Sequence, residues 1–296
     1  MPTSTHPTLP TVRRLLLVLV LALTGLATGC SPRRAAESLL LRGHFEVTVG
    51  VPYGAADRQR LDVYRPRSAA GEAPVVVFLY GGRWQSGSRD DYRLLGDALT
   101  RRGLVAVVPD YRLYPDVLFP AWVEDAARAV AWTRAHAARF GGDPDRIFVV
   151  GHSAGAHTAA LLALDPRHLA GAGVGTMDIA GYVSIAGPVH IAWTDVDVQA
   201  LMGPREGWPA TYPATHVRGG APPLLLLHGS DDSTVSVENS RRLAARLEAE
   251  GGCPAVVVYP GIGHIGIIVA LSVPRLGIAP VMDGLVRFIR TTPSCP

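Results

Sequence analysis

The chain has no lysine; all 28 of its basic residues are arginine. That absence excludes Schiff-base catalysis, pyridoxal attachment and a lysine-bearing phosphate loop. No His-Glu-x-x-His occurs, so no zinc site of that kind is implied. Charge is sparse and nearly balanced, with 18% charged residues and a formal net charge of +3. There is no basic run interleaved with aromatics, which argues against a nucleic-acid partner. Cysteine is scarcer still, with three in 296 residues. What abounds is apolar side chain, 48% of the chain. That is ample for a core, in a chain whose length suits one large domain.

The apolar residues fall into short runs that read as eight strands, near 45–51, 60–64, 75–80, 104–108, 147–150, 181–186, 223–228 and 255–260. Helical patterns near 90–102, 121–139, 154–164, 236–250 and 281–291 alternate with the later strands. Such alternation predicts an α/β fold, an eight-stranded mostly parallel sheet with helices on both faces. The first two strands flank Pro52-Tyr53-Gly54 and a polar loop, consistent with an antiparallel hairpin. Residues 187–221 are the least regular, holding Trp193, Trp208 and Tyr212 among several prolines. They read either as a small lid over a pocket or as a packed surface excursion.

The most informative stretch is Gly151-His152-Ser153-Ala154-Gly155, between the apolar run Ile147 to Val150 and the helical pattern from Ala154. Gly-x-Ser-x-Gly at a strand-to-helix junction reads as a nucleophile elbow. The turn is so tight that side chains two residues either side of the serine would collide, and its strain lifts the hydroxyl into the open. A serine hydroxyl is a weak nucleophile at neutral pH, so it needs a base and a residue to orient that base. Candidates follow at the ends of later strands, where open α/β sheets place their ligands. Leu224 to Leu227 leads into His228-Gly229-Ser230-Asp231-Asp232, and Ala255 to Tyr259 leads into Pro260-Gly261-Ile262-Gly263-His264. His264, in a Gly-rich loop after the last strand, is the candidate base. Of the other histidines near these motifs, His152 is expected to point elsewhere and His228 to support the acidic loop. Asp231 and Asp232 compete for the acid, and either could instead cap the next helix. Val75 to Leu79 is followed by Tyr80-Gly81-Gly82-Arg83-Trp84, where glycines let the backbone turn N–H groups toward an oxyanion. Taken alone, the same pair would be an ordinary turn.

Together these motifs resemble the α/β-hydrolases of the esterase/lipase group that carry an HGG-type oxyanion loop. Pro109 to Pro115, Glu124-Asp125 and Phe140 to Arg146 add to the resemblance, which covers about residues 45 to 291. It implies an α/β-hydrolase fold in which Ser153, Asp232 and His264 form the triad, and it selects Asp232 over Asp231. It also implies that Gly82, Arg83 and Ala154 supply oxyanion N–H groups, while Asp110-Tyr111-Arg112 is scaffold. Tyr80 stands where the family often has His, and Arg83 where it often has a third Gly. These departures point to the HGG-x-W branch, which includes exported esterases, feruloyl-esterase-like proteins and kynurenine formamidases. The implied activity is carboxylic ester hydrolysis on a small-molecule or polymer-attached ester, with no cofactor and no metal. Two rivals stand beside it. One is the same machinery on an amide, as in a formamidase or a prolyl-oligopeptidase-like peptidase. The other is a non-catalytic binding protein on the same scaffold.

Arg13-Arg14 precede the apolar stretch Leu15 to Ala27, too short to span a bilayer comfortably and suited to a signal-peptide core. It ends in Ala27-Thr28-Gly29-Cys30, which resembles a bacterial lipobox with Ala27 in place of the usual leucine. On that resemblance residues 1–29 are a lipoprotein signal, Cys30 is lipidated, 30–44 are a tether and 45–296 are the catalytic domain. The protein would then be exported to the cell envelope and held on a membrane through Cys30. The alternatives are an uncleaved anchor and a plain secretory signal. With Cys30 lipidated, Cys253 and Cys295 remain. A helix returning antiparallel to its strand would bring them together at the face opposite the serine. They would either form a disulfide or stay as two free thiols.

Overall fold

The computed structural model describes residues 44–67, 72–190 and 192–291. Its strands are β1 (Phe45–Pro52), β2 (Arg60–Pro66), β3 (Ala73–Leu79), β4 (Val105–Pro109), β5 (Gly142–His152), β6 (Gly181–Ile185), β7 (Leu224–Gly229) and β8 (Ala255–Tyr259). All eight hydrogen-bond into one sheet in the order β1-β2-β4-β3-β5-β6-β7-β8. β2 runs against both of its neighbours and every other pairing from β4 to β8 is parallel. A parallel sheet needs cover on both faces, and its central strands show it: Val75 to Leu79 and Ile147 to Val150 are almost wholly shielded from water. Each such side chain contributes roughly 1.5–3 kcal/mol of burial before chain entropy is counted.

The helices are α1 (Arg93–Thr100), α2 (Ala121–His136), α3 (Ala154–Leu164), α4 (Pro166–Gly171), α5 (Val196–Leu201), α6 (Glu238–Ala249), α7 (His264–Ser272) and α8 (Val281–Thr291). The expected helices near 154–164 and 281–291 match α3 and α8. The one expected over 90–102 is split, with a 3-10 turn over Arg89–Tyr92 before α1. Three helices were not expected. α4 and α5 are six residues each, announced by an aspartate cap at Asp165 and Asp195 and, for α4, by Pro166 at its first position. α7 is apolar on every side, so it carries no 3.6-residue pattern to read. His264 is therefore the first residue of a helix rather than part of a loop.

Phe45–Pro296 forms one unit, and Met1–His44 a separate one of which only His44 is described. The expected signal over 1–29, lipidation at Cys30 and almost all of the tether lie outside the described residues. Cys253 is disulfide-bonded; its expected partner, Cys295, lies outside the described residues. Among those residues no helix is long and apolar enough to cross a membrane.

What positions the site is the place of β3. It lies between β4 and β5; the connection from β3 goes to β4 on one side and that from β5 goes to β6 on the other, so the two leave in opposite directions and open a crevice at the strand ends. The register pairs Leu79 with Gly151. The loop after β3 and the turn after β5 are thereby laid side by side.

Candidate active site

Ser153 sits at that turn with φ 55° and ψ −119°, a left-handed φ that a non-glycine residue rarely adopts. Such a conformation costs about 1–3 kcal/mol and is held by its surroundings. The surroundings are visible in the flanking glycines. A Cβ on Gly151 would lie 2.1 Å from the Gly155 carbonyl oxygen, and one on Gly155 would lie 2.0 Å from the Leu79 carbonyl oxygen. Neither backbone can retreat, so both positions must be glycine.

From this turn a chain of hydrogen bonds runs across three strand ends. His264 Nε2 lies 2.9 Å from Ser153 Oγ, and His264 Nδ1 lies 2.7 Å from Asp232 Oδ2. The other oxygen of Asp232 accepts from the N–H groups of Thr234 and Val235 at 3.0 and 2.8 Å. Burial by itself would raise the Asp232 carboxyl. Bonds from His228, His264 and the Val235 N–H outweigh it and hold the group well below the usual carboxylate range. Asp231 lies on the exposed side of the same loop, bound by the Ser230 hydroxyl at 2.7 Å. Of the two adjacent carboxylates, Asp232 is the one that reaches His264.

His228 is fully buried behind the acid. Its Nε2 donates to the Val235 carbonyl and its Nδ1 meets Ser240 Oγ, each at 2.8 Å, with Nε2 3.4 Å from Asp232. It supports the acidic loop, as expected. His152 does not point elsewhere. Its ring lies 4.9 Å from that of His264, centre to centre, and its Nε2 donates to the His264 backbone carbonyl at 3.1 Å. Burial lowers its pKa to about 3, aided by the neighbouring His264, so it is neutral at pH 7. The elbow's second residue stands beside the nucleophile by construction, and that is the signal by which sequence reasoning could have found it.

The loop after β3 packs directly on this chain. A Cβ on Gly81 would come 2.9 Å from the Ser153 Cβ, so the close approach requires glycine. Gly82, Arg83 and Trp84 all have positive φ, at 121°, 56° and 58°. The loop is pinned from below by Tyr80, whose hydroxyl donates to Asp110 at 2.8 Å and accepts from Arg58 at 2.8 Å. The Tyr111 hydroxyl donates to the Tyr80 carbonyl at 2.7 Å. Asp110 and Tyr111 thus act as scaffold under the loop. Ala154 opens α3, so its N–H has no partner within the helix and faces outward.

A cavity of about 240 Å³ lies against Ser153, with Arg83 and Ala154 on its wall. Residues 187–221 supply much of the rest, including Trp193, Asp195 and Val198. That segment is at once a packed excursion with a buried Trp193 and one wall of the site. Asp195 bonds Arg83 at 2.6 Å, and the guanidinium holds the Asp195 carboxyl below its ordinary range. Among the described residues no cluster of three or more His, Cys, Asp or Glu side chains could hold a metal ion.

The sequence model of the BD-FAE family matches residues 61–247. The chain belongs to the BD-FAE family. The match includes Ser153 and Asp232 and ends before His264. Within the reach of this BD-FAE chain is the Mycobacterium tuberculosis protein "Esterase LipC", 34% identical over 236 residues, which are 72% of this chain and 58% of that protein. An Arabidopsis thaliana protein named "Probable isoprenylcysteine alpha-carbonyl methylesterase ICMEL1" is 29% identical over 238 residues, 72% of this chain and 50% of its own length. The BD-FAE chain thus spans about half the length of the curated relatives it matches. Among solved structures, an esterase of Thermogutta terrifontis, Est2 with propionate bound, superposes with a TM-score of 0.67 at 27% identity. The superposition covers 83% of this chain and 94% of that one. The eight-stranded sheet and these neighbours make the fold that of an α/β-hydrolase.

Proposed function

We propose that the protein is a serine hydrolase of carboxylic esters, with Ser153 as nucleophile, His264 as general base and Asp232 as the residue that orients it. The observation that carries this reading is the continuous hydrogen-bonded chain Ser153–His264–Asp232, at 2.9 and 2.7 Å, beside an open cavity. Esterase names among the relatives and the solved neighbours support it.

In this mechanism Ser153 Oγ bonds to the ester carbonyl carbon while its proton passes to His264 Nε2. The negative charge that develops on the carbonyl oxygen is met by backbone N–H groups of Gly82, Arg83 and Ala154. The carbon–oxygen bond to the alcohol then breaks, and His264 gives its proton to the departing oxygen. Water enters, loses a proton to His264 and attacks the acyl-serine; the bond to Ser153 Oγ then breaks, His264 returns that proton to Oγ, and the acid leaves with Ser153 and His264 restored. Asp232, ionised and doubly held by backbone N–H groups, keeps the Nδ1 proton of His264 in place. It also stabilises the imidazolium formed at each step.

The test is twofold. A fluorophosphonate probe should label the wild-type protein and not Ser153→Ala, which should lose about 10³-fold or more in kcat on an aryl ester. Asp232→Asn should lower kcat far more than Asp231→Asn. Equal turnover by wild type and Ser153→Ala would end the assignment.

We also propose that residues 1–29 are a cleaved lipoprotein signal and that Cys30 carries the lipid which holds the protein in the cell envelope. The apolar core before Ala27-Thr28-Gly29-Cys30 supports this. Mass spectrometry of the mature N-terminus decides it: a chain beginning at an acylated Cys30 is expected, and an unmodified or uncleaved leader refutes it.

A further inference from the structure

Arg83 and Trp84 are consecutive non-glycine residues in the left-handed region, with φ of 56° and 58°. An L side chain resists that conformation, so contacts must hold each residue there. The φ torsion of Arg83 turns about its N–Cα bond. Relaxing it to an ordinary negative value would rotate the peptide plane that carries the Arg83 N–H. That N–H is one of the groups proposed to meet the oxyanion. Among the described residues no backbone carbonyl accepts from it or from the Gly82 N–H. Its direction therefore depends on what restrains residues 83 and 84.

Trp84 is restrained by packing. Its buried ring meets those of Trp122, Trp193 and His157, with centres 5.9, 5.9 and 5.1 Å away. Its carbonyl accepts from the Tyr114 N–H at 2.9 Å. Arg83 has no such nest. About half of its side chain is in water, and among the described residues its guanidinium bonds only Asp195 Oδ2, at 2.6 Å.

Asp195 is itself fixed in place. It caps α5, where its Oδ1 accepts from the Asp197 N–H at 3.0 Å, and this leaves Oδ2 for Arg83. Two residues earlier, the Trp193 indole N–H donates to Thr211 Oγ1 at 2.6 Å. The carboxylate is thus an anchored point on the 187–221 segment, joined to the loop after β3 across 112 residues of sequence. A half-exposed ion pair contributes little to folding. What this one can do is orient the residue it grips.

We propose that Asp195 is a positioning residue for the reaction: through Arg83 it holds the left-handed backbone that aims the Arg83 N–H at the oxyanion. The proposal rests on Ser153 being the nucleophile and on that N–H meeting the charge. Glycine at position 83 would take the same φ without strain, so the need for Asp195 belongs to the arginine.

The test is a double-mutant cycle with the full chain. It is read as kcat and KM on p-nitrophenyl acetate, and as Ki of a trifluoromethyl ketone, whose serine adduct carries an oxyanion. Asp195→Ser keeps a helix-capping oxygen but cannot reach Arg83. It should lower kcat about three- to tenfold, less than the roughly 10²–10³-fold of losing a donor outright. KM should stay within about twofold, and ketone binding should weaken by about the same factor as kcat. Arg83→Gln should behave alike, and the double variant should lose no more than either single one. Arg83→Gln decides if Asp195→Ser does not fold. In an Arg83→Gly background, Asp195→Ser should change kcat by less than about twofold. Losses that multiply, an equal loss in the Arg83→Gly background, or an unchanged kcat in either single variant overturns the proposal. Fluorophosphonate labelling of the wild type then leaves the function standing. A wild type that neither labels nor hydrolyses esters overturns the two together.

Discussion

His152 donates from Nε2 to the backbone carbonyl of His264, 112 residues away in sequence and 3.1 Å away in space. The residue inside the elbow thus holds the backbone of the proposed base, from the same turn that carries the proposed nucleophile. Because His152 stays neutral, it adds no positive charge beside an imidazole that must become imidazolium.

His152→Phe keeps a flat ring and removes the donor. We expect kcat to fall roughly ten- to hundred-fold with KM within about twofold, since a small misplacement of a catalytic group acts on the transition state. His152→Gln, which keeps an N–H donor, should recover part of the loss. Steady-state kinetics of the two variants check this, and an unchanged kcat in His152→Phe removes the positioning role.

The elbow glycines predict a stability contrast. Gly151→Ala would set a methyl 2.1 Å from a backbone oxygen, a clash expected to cost about 3 kcal/mol or more. Gly171→Ala, at the end of α4 with nothing within 4 Å, should leave stability within about 0.5 kcal/mol or raise it. Urea denaturation of the two proteins measures both; a Gly151→Ala protein as stable as Gly171→Ala contradicts the steric account.

The buried histidines set an acid limit to stability. Burial lowers the pKa of His152 to about 3 and that of His157 to about 4, from an ordinary 6.5. Below about pH 6.5 the unfolded chain therefore binds two protons that the folded chain refuses, so stability falls as pH falls. The slope is about 1.4 kcal/mol per pH unit for each group, or roughly 2.7 for the pair, until the folded values are reached. Asp232 adds a loss of the same sign at lower pH: its folded pKa is depressed, so as pH falls through the ordinary carboxylate range the unfolded chain takes up a proton that the folded carboxyl refuses. Urea midpoints at pH 7, 6 and 5 should decline, and His157→Gln should about halve the decline.

The disulfide at Cys253 closes on one of two cysteines, Cys30 or Cys295. With Cys30 lipidated, peptide mapping without reduction should recover Cys253 linked to Cys295. Reduction should then destabilise the protein by roughly 2–4 kcal/mol, as expected for a loop of about 40 residues. A Cys253–Cys30 peptide would contradict both this pairing and the lipid anchor.

Much of the architecture could be read along the chain, because it depends on neighbours in sequence. All eight strands were legible as apolar runs bounded by turn residues, and their alternation with helices implied a parallel sheet. The glycines of the elbow were legible too, since a clash between residues 151 and 155 is decided within five residues. The helices that escaped notice lacked the features that sequence reading uses. α7 has no polar face, and α4 and α5 are too short to establish a period.

Tertiary structure decided what depends on distance across strands. Asp231 and Asp232 are adjacent and chemically identical, and nothing in their spacing separates them. β7 and β8 pair with Gly229 opposite Tyr259, and the Asp231 N–H bonds the Ile262 carbonyl at 3.0 Å. This aligns the two loops so that Asp232 turns inward to His264 at 2.7 Å while Asp231 faces water. The contact of His152 with His264 and the bridge from Arg83 to Asp195 arise in the same way. Hydrogen bonds of this kind act over about 3 Å between residues far apart in sequence, so only the folded chain can select the pair.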